Sequence, residues 1–199
     1  MPIQAEVPRS RNAAATREAI LASARRAFAR AGYDGAGVRE IAKGAGVTAM
    51  LVNRYFGSKE QLFAEVVAAT MSNPTILTED FVRAPSGERL ARALVALSGA
   101  DATPLDGFLI MLHSASSQRA AEIGREQIQA LHQKAMTSAL GGDLAPERAA
   151  VALSIVAGFQ VMRQMIGLPD LAQADPETLV KILAPLFQRL LDGEASKPL

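Results

Sequence analysis

Residues 38–63 read VREIAKGAGVTAMLVNRYFGSKEQLF, and the spacing of apolar and helix-breaking residues in this stretch decides the fold. Val38, Ile41, Ala42 and Ala45 recur at the three- and four-residue intervals of one helix face, and Gly46 breaks that helix just before Val47. Thr48 suits the N-cap of a second short helix, Ala49 to Phe56, which turns Val52 and Phe56 inward. Ser58 followed three residues later by Gln61 is a capping-box pattern, so another helix opens at Lys59 and buries Leu62, Phe63 and Val66. Two short helices joined by a glycine turn make a helix-turn-helix.

Working outward, Ile20, Ala24 and Phe28 form the apolar stripe of a first helix over 16–31, which Gly32 ends. Asn73-Pro74 is expected to end or kink the helix begun at Lys59, because a residue before proline avoids the helical region. Five further helices are expected near 86–98, 105–117, 118–140, 146–167 and 176–192. Ala102-Thr103-Pro104, Gly141-Gly142-Asp143 and Leu168 to Asp175 separate the later ones, and the tail GEASKPL reads as frayed. With 49% apolar residues in 199, 5% aromatics and few β-branched clusters, the chain is expected to be all-α: a head over 1–59 and a larger helical body over 60–199.

Composition narrows the chemistry. Without cysteine there is no disulfide or thiolate metal site, and His113 and His132 alone supply too few ligands for a histidine site, so neither metal nor cofactor is expected. His113 with Ser114 and Ser116 is the one nucleophile-like grouping, and no acid stands at a spacing to orient the imidazole; no catalytic residue is assigned and the chain is not read as an enzyme. The polar amino terminus lacks the apolar core of a signal peptide, and a cytoplasmic protein is expected. The longest apolar run, 151–168, contains Ser154, Gln160, Arg163 and Gln164, and an arginine at a bilayer centre costs about 2.5 to 3.5 kcal/mol on insertion scales. That run therefore reads as a buried helix, with no membrane partner.

Overall the formal net charge is only +1, but up to Lys59 there are ten basic and four acidic residues, a net +6, and the remainder carries −5. A basic head on an acidic body suits a polyanion at one end. Thr48, Ala49, Met50 and Asn53 lie opposite Val52 and Phe56, free to meet base edges in a major groove. Arg39 can reach a guanine edge or a phosphate; the Tyr55 hydroxyl, Lys59 at a helix start and Arg17 on the first helix suit phosphate oxygens.

The stretch Thr16 to Val67 resembles the DNA-binding domain of TetR-family transcriptional regulators, through the VREIA helix, the AGV turn, the aromatic pair Tyr55-Phe56 and GSKE opening the next helix. Many members carry Tyr where Asn53 stands and Ser or Thr where Gly37 stands; Asn53 can instead pair bidentately with adenine, and Gly37 caps weakly. The resemblance implies a homodimer on double-stranded DNA with a palindromic operator, a body that dimerises through its last two long helices, and a pocket among the central helices. It also implies a repressor released by a small apolar or amphipathic effector. The alternative is a DNA-binding dimer regulated by a protein partner or without an effector.

Two features of the body bear on those implications. In the penultimate helix Ala150, Ser154 and Gly158 are small residues four apart, which permits close helix approach. The last helix carries two apolar rows, Leu179-Ile182-Leu186-Leu190 and Val180-Leu183-Phe187-Leu191; the second, through Leu183, Phe187 and Leu191, is expected at the dimer seam with Ser154 and Gly158. Phe108, Met111, Leu112, Phe159, Met162 and Met165 form an adaptable apolar set suited to a ligand. Arg163, also taken as a candidate ligand contact, must meet an acid, a carbonyl or an anionic ligand.

Overall fold

The computed structural model describes residues 9–72, 76–99 and 106–193. The expected break at Asn73-Pro74, the separator Ala102-Thr103-Pro104, most of the tail and the first eight residues lie outside them. Among the described residues all regular structure is helical, as the composition required. The helices are α1 (Arg9–Gly35), α2 (Val38–Gly44), α3 (Ala49–Phe56), α4 (Lys59–Met71), α5 (Glu79–Arg83), α6 (Gly87–Leu97), α7 (Asp106–Ser114) and α8 (Gln118–Ile128). A π-helical stretch, Gln129–Gln133, leads into α9 (Lys134–Leu140); then come α10 (Ala145–Gln160), a second π-helical stretch (Val161–Met165), α11 (Pro169–Ala172) and α12 (Pro176–Asp192). The short α5 and α11 and both π-helical stretches were not expected from sequence, since a single turn gives periodicity nothing to repeat.

The chain forms two compact units. The first joins Met1–Thr70 to Asp106–Arg125, and the second joins Met71–Leu105 to Glu126–Leu199. In the first, the expected stripe of Ile20, Ala24 and Phe28 is completely buried. Phe28 meets Phe63 edge-on at 5.0 Å between ring centroids, and Tyr33 meets Phe63 at the same distance. Gly32 stands at φ 67° and ψ −176°, outside helical space, and kinks α1 where the sequence placed its end. A Cβ at Gly32 would sit 2.2 Å from the His113 carbonyl oxygen, so the close pass of α7 requires glycine there.

Polar contacts fix α7 to α1. The Tyr33 N–H donates to Ser114 Oγ at 2.9 Å, His113 Nδ1 lies 2.6 Å from the Ala29 carbonyl oxygen, and Arg25 pairs with Asp106 at 2.6 Å. Two of the three groups that suggested a nucleophile, His113 and Ser114, are thus engaged in contacts to α1.

The second unit is built on α6 and α12. Leu90, Leu94, Val95, Leu179, Val180, Leu183 and Phe187 are buried together with Met136 of α9 and Ala149 and Ala152 of α10. A Cβ at Gly87 would fall 2.4 Å from the Ala184 carbonyl, so the absent side chain lets α6 and α12 nearly touch. No single helix among the described residues is long and apolar enough to cross a membrane.

Candidate nucleic-acid interface

Local rules set the ends of α3. The Leu51 N–H donates to Thr48 Oγ1 at 3.3 Å, the expected N-cap, and Gly57 at φ 76° closes the helix. Val52 and Phe56 are buried, at 1% and 4% exposure, anchoring one face. The opposite face is bare: Thr48, Asn53 and Arg54 are exposed and Met50 is 82% exposed, although it is a large apolar side chain that burial would favour. Ala49 and Tyr55 are half-buried at its flanks. An eight-residue helix with one face locked in a core and the other open has the form of a reading helix.

Flanking cations stand in different situations. Arg39 and Lys43, four apart on α2, are exposed, and neither has an ion-pair partner among the described residues. Arg54 resembles them, although the sequence reading gave it no role; its place four residues after Met50 was the available signal. Lys59 directs its ammonium over the Tyr33 ring, 4.7 Å from the centroid, and burial pushes the Tyr33 phenol up. Ser58 accepts from the Gln61 N–H at 3.1 Å, fixing the start of α4 from which Lys59 projects. Arg17 pairs with Glu65 and stacks over Phe56 at 4.9 Å from the centroid. Its expected phosphate contact therefore competes with an ion pair to α4, which the sequence gave no means to see.

Candidate body residues divide between the units. Phe108, Met111 and Leu112 lie half-buried on α7 in the first, where Met111 packs so closely on Gly124 that a Cβ there would be 1.9 Å from its methyl. Phe159, Met162 and Arg163 belong to the second.

The expected seam row on α12 requires correction. Leu183, Phe187 and Leu191 are 6%, 0% and 9% exposed within the single chain, because this row packs into the unit's own core. In the other row Leu179 is buried and Leu190 half-buried, and it is the middle pair that is open, with Ile182 58% and Leu186 49% exposed. Ser154 and Gly158 are exposed on α10, as are Ala150, Val151 and Ala157. Periodicity shows that α12 has two apolar rows but cannot rank them, and rank came from the partner helix α6.

The chain matches the family described as bacterial regulatory proteins, tetR family, over residues 20–66, and the tetracyclin repressor-like C-terminal domain over residues 84–191. No curated protein matches it significantly. Among solved structures, a transcriptional regulator from Rhodococcus sp. Rha1 is 27% identical, with a TM-score of 0.63, covering 89% of this chain and 96% of that one. A TetR-family regulator from Streptomyces coelicolor A3 is 26% identical, with a TM-score of 0.50 over 89% and 95% of the two chains. The transcriptional regulator FadR from Bacillus subtilis, solved with stearoyl-CoA, shares the fold at 15% identity, with a TM-score of 0.61 over 88% and 98%.

Proposed function

The chain belongs to the TetR family of DNA-binding transcriptional regulators, and from that membership we propose that it is a homodimeric repressor of a palindromic operator, released by a small, largely apolar or amphipathic effector. The observation that carries the DNA half is the bare face of α3, with Met50 at 82% exposure opposite a fully packed Val52 and Phe56. Thr48, Ala49, Met50 and Asn53 read base edges; the Met50 thioether and the Ala49 methyl suit thymine methyls, and Asn53 suits adenine. Arg39 contacts a guanine edge, while Tyr55, Lys59 and Arg17 hold phosphates, Arg17 after yielding Glu65. In functional terms residues 1–59 form the reading head and 60–199 the dimerising, effector-binding body, working in the cytoplasm where the operator lies.

The dimer seam is assigned to the open pair of α12, Ile182 and Leu186, beside the small residues Ser154 and Gly158 of α10. Two copies placed face to face there bury apolar side chains that a lone chain leaves in water. An effector held within the second unit, by Phe159, Met162 and Arg163, would favour a conformation that mis-spaces the two α3 helices. DNA affinity then falls by the coupling free energy, of order 1 to 3 kcal/mol. The acyl thioester bound by FadR, a relative by fold, is consistent with an amphipathic effector.

The test is binding of the purified protein to duplexes from its own upstream region against random duplex at moderate salt. Preference for one palindromic segment is expected. Equal affinity for all duplexes refutes the reading.

A further inference from the structure

The chain has no cysteine, so its seven methionines are the only sulfur-bearing side chains that a two-electron oxidant meets. Exposure decides which of them it meets first. Met136 is completely buried, Met71 is 7% exposed, and Met111 is half-buried against Gly124. Met162 and Met165, at 39% and 37%, keep most of their surface covered. Met50 is 82% exposed, about twice as open as any other methionine among the described residues.

Its position matters as much as its exposure. Met50 is the second residue of α3, on the face opposite the buried Val52 and Phe56, and Asn53 and Arg54 are exposed three and four residues further on. No core contact depends on a side chain so open, so a change of its polarity leaves the fold intact. The same change at Met136 would place an unpaired polar oxygen in a core. A duplex lying on α3 must cover Met50, so DNA and an oxidant compete for the same sulfur.

We propose that Met50 is an oxidation site, modified by hydroperoxides, and that its sulfoxide weakens DNA binding. The inference rests on the base-reading role of α3 proposed above and adds to it an input that bypasses the body. The sulfur lone pair takes the terminal oxygen of the hydroperoxide: the O–O bond breaks and an S–O bond forms. Sulfur loses two electrons, and the peroxide leaves as an alcohol, or as water when it is hydrogen peroxide. A thioether that suits a thymine methyl thereby becomes a strong dipole whose oxygen calls for a donor. Water supplies one in the unbound protein, and a methyl group in the groove does not. Bound protein therefore resists the oxidant, released protein is modified, and the modified form returns poorly to DNA. Methionine sulfoxide reductases, one for each sulfoxide epimer, reverse the step.

The test treats the intact protein with hydrogen peroxide, alone and with the upstream duplex that the untreated protein prefers. Trypsin releases residues 44–54, GAGVTAMLVNR, in which Met50 is the one methionine, so the gain of an oxygen by that peptide reads the site. It should be oxidised severalfold faster than the peptides carrying Met71, Met111 and Met136, and the duplex should slow it severalfold. Once that peptide has reacted, affinity for the duplex should fall about tenfold or more with the thermal midpoint unchanged, and the two reductases should restore it. Met50→Leu has no sulfur at this position and, whatever its own affinity, should bind equally before and after treatment. Oxidation no faster than at the buried methionines, no protection by the duplex, or an equal loss in Met50→Leu each overturns the inference. Two outcomes separate the levels. If the untreated protein prefers no duplex, the function proposed above falls and this inference with it; if it binds its preferred duplex equally with Met50 fully oxidised, that function stands and the inference alone falls.

Discussion

Replacing both Ile182 and Leu186 by Glu should convert the protein into a folded monomer. The two side chains are 58% and 49% exposed in the single chain, so roughly half of each is still available to bury against a partner. Complete burial of a Leu or Ile side chain contributes about 2 kcal/mol, so each contributes about 1 kcal/mol at the seam. With two such residues on each of two symmetric subunits, the loss is about 4 kcal/mol, or about a thousandfold in the dimer dissociation constant, before the repulsion of four carboxylates is counted. Because neither residue is part of the buried core, the monomer should melt within a few degrees of the unaltered chain extrapolated to low concentration. Sedimentation across a concentration series reads the constant, and operator binding should fall toward the level of random DNA. A double variant that dimerises within tenfold of the unaltered protein would refute the assignment of this row.

The neighbouring row behaves oppositely: Phe187→Ala removes a completely buried ring and should cost about 3 to 5 kcal/mol of folding stability, measured by urea titration, with dimerisation affected only through unfolding. Lys59→Ala and Tyr55→Phe should weaken all duplexes alike and Lys59→Ala should reduce the salt slope by about one, whereas Arg39→Ala should cost roughly 1 to 3 kcal/mol at one base pair; equal losses on operator and random DNA would move Arg39 to the phosphate contacts. Burial lowers the His132 pKa below its ordinary 6.5. As pH falls from that value toward the depressed one, the unfolded chain takes up a proton that the folded chain refuses, so stability is full above 6.5 and declines below it. His132→Gln should flatten that part of the urea-midpoint profile, and an unchanged profile would assign the decline to other groups. Inserting five base pairs between operator half-sites should reduce affinity to the non-specific level, because it turns one half-site to the opposite face.

Where sequence reading succeeded, a short-range rule was enough. Thr48 and Ser58 cap their helices because a hydroxyl three residues before a free N–H can reach it, and Ile20, Ala24 and Phe28 are buried because they share a face. The open face of α3 followed in the same way, as the complement of the buried Val52 and Phe56. What stayed hidden depends on residues far apart in the chain. The pairing of Arg17 with Glu65 spans 48 positions, and the choice between the rows of α12 rests on α6, about ninety residues upstream. Sequence marks Arg163 as an anomaly in an apolar helix, but its partners Val95, Ser98 and Leu171 come only from the fold.

The first unit is assembled from two separated lengths of chain, Met1–Thr70 and Asp106–Arg125, and this sets a schedule for synthesis. A nascent chain that has reached residue 70 holds the whole helix-turn-helix, yet lacks Ser114 for the Tyr33 N–H and the α7 backbone that fits over Gly32. At ordinary elongation rates the missing segment follows after a delay of about 3 to 11 seconds, during which that side of α1 has no cover. The helix-turn-helix is thus among the first parts of the protein to be made, while the compact unit that contains it cannot be finished until residue 125 has been added. A chain interrupted between those points would carry the whole of α2 and α3 in a unit that is not fully built.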